Sequence, residues 1–327
     1  MSTIQDVLLK VSLDPAREAL GQSVAASDDE SASVTAPAAA PALRSAAVSA
    51  GDEPRAAARQ QEPLQAGTGS SVHRLALELM REEGLLTPDV KRSQLAEENR
   101  LIKLPLLMNV DKKGADIVDN ANLIMVTSAV SGEGKSFSAI NLAMSIVAER
   151  DRTVLLVDGD VARPTAAKRL GIDAEAGLLD LLDGSIDSIA DVLITTDLPN
   201  FRVLPAGRWH DRATELLASE QMARLMTEFS TRYQDRVVIF DSPPLLMASE
   251  SAVLASMMGQ IVMVVAAERT PQHAVADALA RLGDDKIIGL LLNKYRPSLG
   301  NRFGAGYGYG YGYGYGHQSA ADAASGA

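Results

Sequence analysis

The chain has 327 residues, 42 acidic side chains against 31 basic ones and a formal charge of −11, so it lacks the positive balance that general nucleic-acid binding requires. Hydrophobic residues make up 46% of it, enough for a sizeable core, and its length suits one large α/β domain with extensions or two small domains. Cysteine is absent, which excludes disulfides, thiolate catalysis and cysteine-ligated zinc.

The start, MSTIQDVLLK, carries Asp6 inside its only apolar stretch, unlike a signal peptide. The best long apolar run, Leu245 to Ala267, is broken by Glu250 and Gln260, so no membrane span is expected. Both features predict a soluble protein of a reducing compartment. Ile4, Val7, Leu8 and Val11 follow helical spacing, which fits a short docking helix over 1–20 or a frayed terminus. Residues 21–70 are rich in Ala, Ser, Pro, Gly and Gln and bury too little apolar area to offset chain entropy, which predicts a disordered linker.

Order is expected to resume near Val72. The stretch HRLALELMREEGLL has helical periodicity and ends near Gly84, and Thr87-Pro88-Asp89 has the form of a helix start. The helix that follows runs through KRSQLAEENRLIKLPLL, placing Glu97, Arg100 and Lys103 roughly along one side. From Asn122 onward six short apolar runs alternate with longer amphipathic ones: NLIMVTSA, TVLLVDGD, FRVLPAG, RVVIFDS, QIVMVVAA and KIIGLLLNK. Consecutive apolar positions suit strands buried on both faces, and the helical segments SFSAINLAMSIVAER and TELLASEQMARLMTEFSTRY lie between them. A βαβ series of this kind predicts a parallel sheet covered by helices on both sides, with ligands at the carboxyl ends of its strands. The ordered domain is expected over 71–299, and 300–327, with Tyr307, Tyr309, Tyr311, Tyr313 and Tyr315 alternating with glycine, reads as a flexible tail.

Three motifs carry chemistry. NLIMVTSAVSGEGKSFSAINLA has the order strand, glycine-containing turn, helix, and the candidate nucleotide-binding segment is Ser131, Gly132, Glu133, Gly134, Lys135, Ser136 and Phe137. Turn amides and the helix N-terminus surround phosphates, the Lys135 ammonium reaches the β- and γ-phosphates, and the Ser136 hydroxyl ligates Mg²⁺. Ala129 stands where the full phosphate-loop pattern has glycine. The second motif, VLLVDGDVARP, puts Asp158 and Asp160 at a strand end with Arg163 beyond them, a set suited to metal ligation, base catalysis and charge clamping. In the third, VVIFDSPP, Asp241 closes a strand as a Mg²⁺-holding aspartate does. Asn293, at the end of the last expected strand, fits an adenine contact or a strand-end cap.

At these residues the sequence resembles the bacterial protein-tyrosine kinases (BY-kinases) of capsule and exopolysaccharide systems, members of the deviant-Walker, ParA/MinD-like branch of P-loop NTPases. TSAVSGEGKS matches Walker A, LLVDGDVARP the additional Walker A′ motif and VVIFDSPP Walker B, and the tyrosine-rich end matches as well. LTPDVKRSQLAEENRLIKLPLL and LPAGRWHDRATELLAS look closest to the autokinases of exosortase-associated loci. The resemblance implies an α/β P-loop fold, ATP and Mg²⁺ as cofactors, and autophosphorylation of Tyr307 to Tyr315. It assigns Lys135 to the phosphates, Ser136, Asp160 and Asp241 to the metal, Asp158 or Asp160 to the tyrosine hydroxyl and Arg163 to phosphate or the incoming chain. It further implies a ring-shaped homo-oligomer through an ExxRxxR helix, here Glu97, Arg100 and Lys103, with lysine in the last place. A membrane-anchored polysaccharide co-polymerase as activator and a counteracting phosphatase complete the implied partners, with the chain cytoplasmic and peripheral to the inner membrane. Two other readings stay open: an ATP-switched positioning ATPase of the ParA/MinD kind, whose extra lysine is replaced by Val130, and a nucleotide-dependent scaffold without catalysis.

Overall fold

The computed structural model describes residues 72–89, 93–114, 117–149, 151–231, 236–283 and 286–295. The expected segments 1–20 and 21–70 and the tyrosine tail at 300–327 lie outside these residues. Among the described residues, α1 (Leu77–Glu82) and α2 (Gln94–Val110) precede the sheet. The series continues with β1 (Leu123–Ser128), α3 (Lys135–Val147), β2 (Thr153–Asp158), α4 (Ala166–Arg169), α5 (Leu178–Leu182), α6 (Ile189–Val192), β3 (Ile194–Thr195) and β4 (Phe201–Leu204). It closes with α7 (Ala213–Leu217), α8 (Glu220–Thr231), β5 (Arg236–Asp241), α9 (Ser249–Met257), β6 (Gln260–Ala266), α10 (Gln272–Leu279) and β7 (Ile287–Asn293).

The sheet order is β3-β4-β2-β5-β1-β6-β7, and every pairing is parallel except that of β3 with β4. Each central strand sends alternate residues to opposite faces, which is why its apolar run is continuous. Leu123, Met125, Leu155, Val157, Val238 and Phe240 join one core with residues of α5, α8 and α9. Ile124, Val126, Val154, Leu156, Val237 and Ile239 join the other with residues of α1 and α3. The resulting seven-stranded, mostly parallel α/β sheet is the fold expected.

Three boundaries differ from expectation. The second helix does not start at Thr87-Pro88-Asp89. Ser93 caps it instead, its hydroxyl accepting from the Ala96 amide at 3.1 Å. The segment TELLASEQMARLMTEFSTRY is two helices, because the Ser219 hydroxyl accepts from the Met222 amide at 3.2 Å and opens α8. The antiparallel edge strand β3 was not expected.

Among the described residues no helix is long and apolar enough to cross a membrane.

Candidate active site

Because β5 lies between β1 and β2, the loop after β1, the last residue of β5 and the last residue of β2 meet at one edge of the sheet. Asp158 and Asp241 are register partners there, and the Gly159 amide donates to the Asp241 carbonyl at 2.8 Å.

Gly132 (φ +84°) and Gly134 (φ +104°) take left-handed backbone conformations that reverse the chain into α3. A Cβ on Gly134 would lie 2.1 Å from Asn293 Nδ2. Glu133 is turned inward and buried. Its carboxylate accepts from the Val130 amide at 2.7 Å, from the Ala266 amide at 3.3 Å and from the Thr270 hydroxyl. The loop is thus fixed from beneath by the Glu133 side chain, and only the backbone of Glu133 remains for phosphate. Two groups hold the outer side of the loop. Asn293 Nδ2 donates to the Glu133 carbonyl at 2.8 Å, and Lys294 Nζ donates to the Gly132 carbonyl. In this geometry Asn293 is a clamp on the loop. Lys294, which the sequence reading missed, shares that task from a left-handed position (φ +60°) that no motif announces. Phe137 packs with the core formed by α1, α2 and α3 and lines a cavity of about 70 Å³ with Leu95, Ile102 and Asn293, so its ring serves helix packing.

The charged groups converge. Lys135 Nζ lies 2.6 Å from Asp160 Oδ2, with Lys135 only 14% exposed. Asp160 Oδ1 accepts from the Arg163 amide at 3.2 Å, while the side chain of Arg163 is exposed. Ser136 Oγ accepts from Thr165 Oγ1 at 3.1 Å, a second partner the sequence reading missed. Asp158 Oδ2 accepts from the Ala166 amide at 2.9 Å, but among the described residues its Oδ1 has no hydrogen-bond partner. Neither carboxylate oxygen of fully buried Asp241 has one. Burial and the neighbouring Asp241 charge push the Asp158 carboxyl up to about 8. Burial raises Asp241 to about 6, opposed by the nearby Lys135 charge. Buried acceptors left unpaired beside one another are what a site for an additional cation provides.

These strand ends match a known pattern. The family model described as the CobQ/CobB/MinD/ParA nucleotide binding domain matches residues 124–305. The chain belongs to this family. Curated relatives that it matches carry the name tyrosine-protein kinase. The tyrosine-protein kinase YwqD of Bacillus subtilis is 30% identical over 183 residues, 55% of this chain and 76% of that protein. The putative tyrosine-protein kinase EpsB of Ralstonia nicotianae is 32% identical over 190 residues, 56% of this chain but 25% of that protein, so the chain spans about a quarter of that relative. The kinase domain of the Escherichia coli tyrosine kinase ETK superposes with a TM-score of 0.57 at 26% identity, covering 69% of this chain and 84% of that one. The chain is therefore a bacterial tyrosine-kinase relative within the CobQ/CobB/MinD/ParA family.

One part of the expected oligomer helix is corrected. Glu97 and Arg100 are exposed and paired at 3.1 Å. Lys103 does not share their face. It is buried, donates to the Ser145 carbonyl at 2.7 Å and pairs with Glu149 at 2.5 Å. Residues three and six positions on from Glu97 are rotated progressively around a 3.6-residue helix, and the third has turned into the α2–α3 contact. The acceptors Tyr307, Tyr309, Tyr311, Tyr313 and Tyr315 lie outside the described residues.

Proposed function

We propose that the chain is an ATP-dependent protein-tyrosine autokinase that phosphorylates Tyr307, Tyr309, Tyr311, Tyr313 and Tyr315 in trans and so controls exopolysaccharide or capsule polymerisation and export. One observation supports this above the others: Lys135, Ser136, Asp158, Asp160 and Asp241 come from three adjacent strand ends to one place, with three carboxylate oxygens there lacking hydrogen bonds.

ATP supplies the phosphoryl group, and Mg²⁺ neutralises its charge. The residues present fit both. The amides at the start of α3 and the Lys135 ammonium bind the phosphates, once Lys135 exchanges Asp160 for them. Ser136 and Asp241 hold the metal, with Asp160 beside them. Asp158, which lines the cavity at the foot of the Gly207 turn, takes the proton of the tyrosine hydroxyl when its carboxyl is ionised. Arg163, exposed at the rim, meets phosphate or the incoming chain. Asn293 and Lys294 keep the loop in its phosphate-binding shape. A homo-oligomeric ring brings one subunit's tail to the next, and each phosphotyrosine adds about 1.5 to 2 negative charges that loosen it. The chain works against the cytoplasmic side of the inner membrane with a membrane-anchored co-polymerase as activator, and a phosphatase resets it.

The trans route is tested by mixing a donor whose five tail tyrosines are replaced by phenylalanine with an acceptor carrying Lys135→Met. Phosphotyrosine on the acceptor is expected; its absence, while the unmodified chain labels itself, would restrict the reaction to one subunit.

A further inference from the structure

The loop after β4 presents the chain's only tryptophan, Trp209, at 75% exposure. This loop is held rigidly. Asp180, almost fully buried at the start of α5, accepts from the Arg208 amide at 3.0 Å, from Arg208 Nε and from the Gly177 amide at 2.9 Å. Gly207 has a left-handed backbone (φ +87°), and a Cβ there would lie 2.4 Å from Asp180 Oδ2. The ion pair leaves the Arg208 side chain 64% exposed, next to Trp209 in sequence, and Arg212 is exposed three residues on from Trp209. The exposed indole thus follows an anchored arginine directly in the chain and precedes a second exposed arginine by three residues.

Its position adds to this. Pro205, Ala206 and Gly207, at the base of the loop, line a cavity of about 50 Å³ together with Asp158 and Lys168. The side chain proposed to receive the acceptor's proton thus faces the same cavity from which the Trp209 loop rises. The Tyr/Gly repeat follows β7, which runs parallel to the central strands, so it leaves the same edge of the sheet. In the sheet order, β4 and β7 are separated by five strand spacings, about 24 Å across. The stretch 296–306 spans at most about 40 Å when extended. The distance permits the repeat to reach this loop, on its own subunit or on a neighbour.

We infer that Trp209, flanked by Arg208 and Arg212, is the docking site for the Tyr/Gly repeat 306–316 and selects glycine-separated tyrosines as acceptors. The inference rests on the kinase reading above. Tyrosine rings stack on the indole, the intervening glycines let the backbone pass close to it, and the two arginines receive the phosphate of a tyrosine already modified.

The test uses the full-length chain with its five tail tyrosines replaced by serine, loaded with Mg-ADP or Mg-ATP, and a synthetic peptide of residues 303–317. Because Trp209 is the only indole, its fluorescence reports docking directly. Saturable quenching by the peptide is expected, and none by a version with serine at each tyrosine. In kinase assays Trp209→Ala should raise the peptide KM about 5- to 10-fold, with kcat and the KM for ATP unchanged, and Trp209→Phe should restore most of the loss. Unaltered fluorescence at high peptide, or an unaltered KM in Trp209→Ala, would overturn the docking site and leave the kinase reading intact. Should no phosphotyrosine form on any variant, the kinase reading falls, and the fluorescence titration still decides the docking.

Discussion

Asp241→Asn should make the nucleotide-free protein more stable while removing its response to Mg-nucleotide. The wild-type carboxylate is fully buried, has no hydrogen-bond partner on either oxygen among the described residues and sits in register with Asp158. Burial raises it from the ordinary 3.8 to about 6, a difference worth about 3 kcal/mol. The folded state holds this proton more tightly than the unfolded chain does. The contribution of Asp241 to wild-type stability therefore falls as pH rises from about 4 to about 6, and that of Asp158, raised to about 8, goes on falling above that. An amide does not titrate here, so the gap between variant and wild type opens over the same window. Leaving the new NH₂ imperfectly paired costs about 1 kcal/mol, so a net gain of about 2 kcal/mol is expected at pH 7.5. For a domain of this size that corresponds to roughly 4–8 °C in Tm. The assay is thermal denaturation in chelator at pH 5 and pH 7.5, repeated with Mg-ADP. Wild type should gain stability from Mg-ADP and the variant should gain little. A variant less stable than wild type at pH 7.5 in chelator would refute the reasoning, because it would mean the lone carboxylate is not held at a cost.

Three further outcomes follow from named contacts. Glu133→Gln keeps one acceptor but loses the charge that holds the Val130 and Ala266 amides, and should cost about 1–2 kcal/mol in urea denaturation and weaken ATP binding measured by calorimetry. Gly134→Ala combines a left-handed position with a collision against Asn293, and should lower ATP affinity at least about 10-fold with the fold retained by circular dichroism. Lys103→Ala should cost about 2–3 kcal/mol of stability, because it strips a buried carbonyl and Glu149 of their partner, whereas Arg100→Ala should leave Tm within about 1 °C and alter only the oligomer seen by light scattering.

The sequence revealed most of the sheet and the elements of the site for a physical reason. Strands buried on both faces must be apolar at consecutive positions, and β1, β2, β5 and β6 are. The phosphate loop was legible because only glycine accepts the φ of Gly132 and Gly134 cheaply. Hidden features depended on partners distant in the chain. The inward turn of the Glu133 side chain depends on Thr270 and the Ala266 amide, contributed by the end of β6 and beyond, which the loop motif does not announce. Lys103 looks like a surface lysine until α3 supplies a carbonyl and Glu149. β3 has two residues and no periodicity to read. α2 starts later than Pro88 suggests, because the Ser93 hydroxyl supplies its cap.

The most direct measurement is mass mapping of phosphate on the purified full-length chain after incubation with Mg-ATP, beside Lys135→Met. Phosphate on Tyr307 to Tyr315 in the wild type and none in the variant is the expected result. Phosphate-free tyrosines in both, with Mg-ATP demonstrably bound to the wild type, would contradict the kinase assignment.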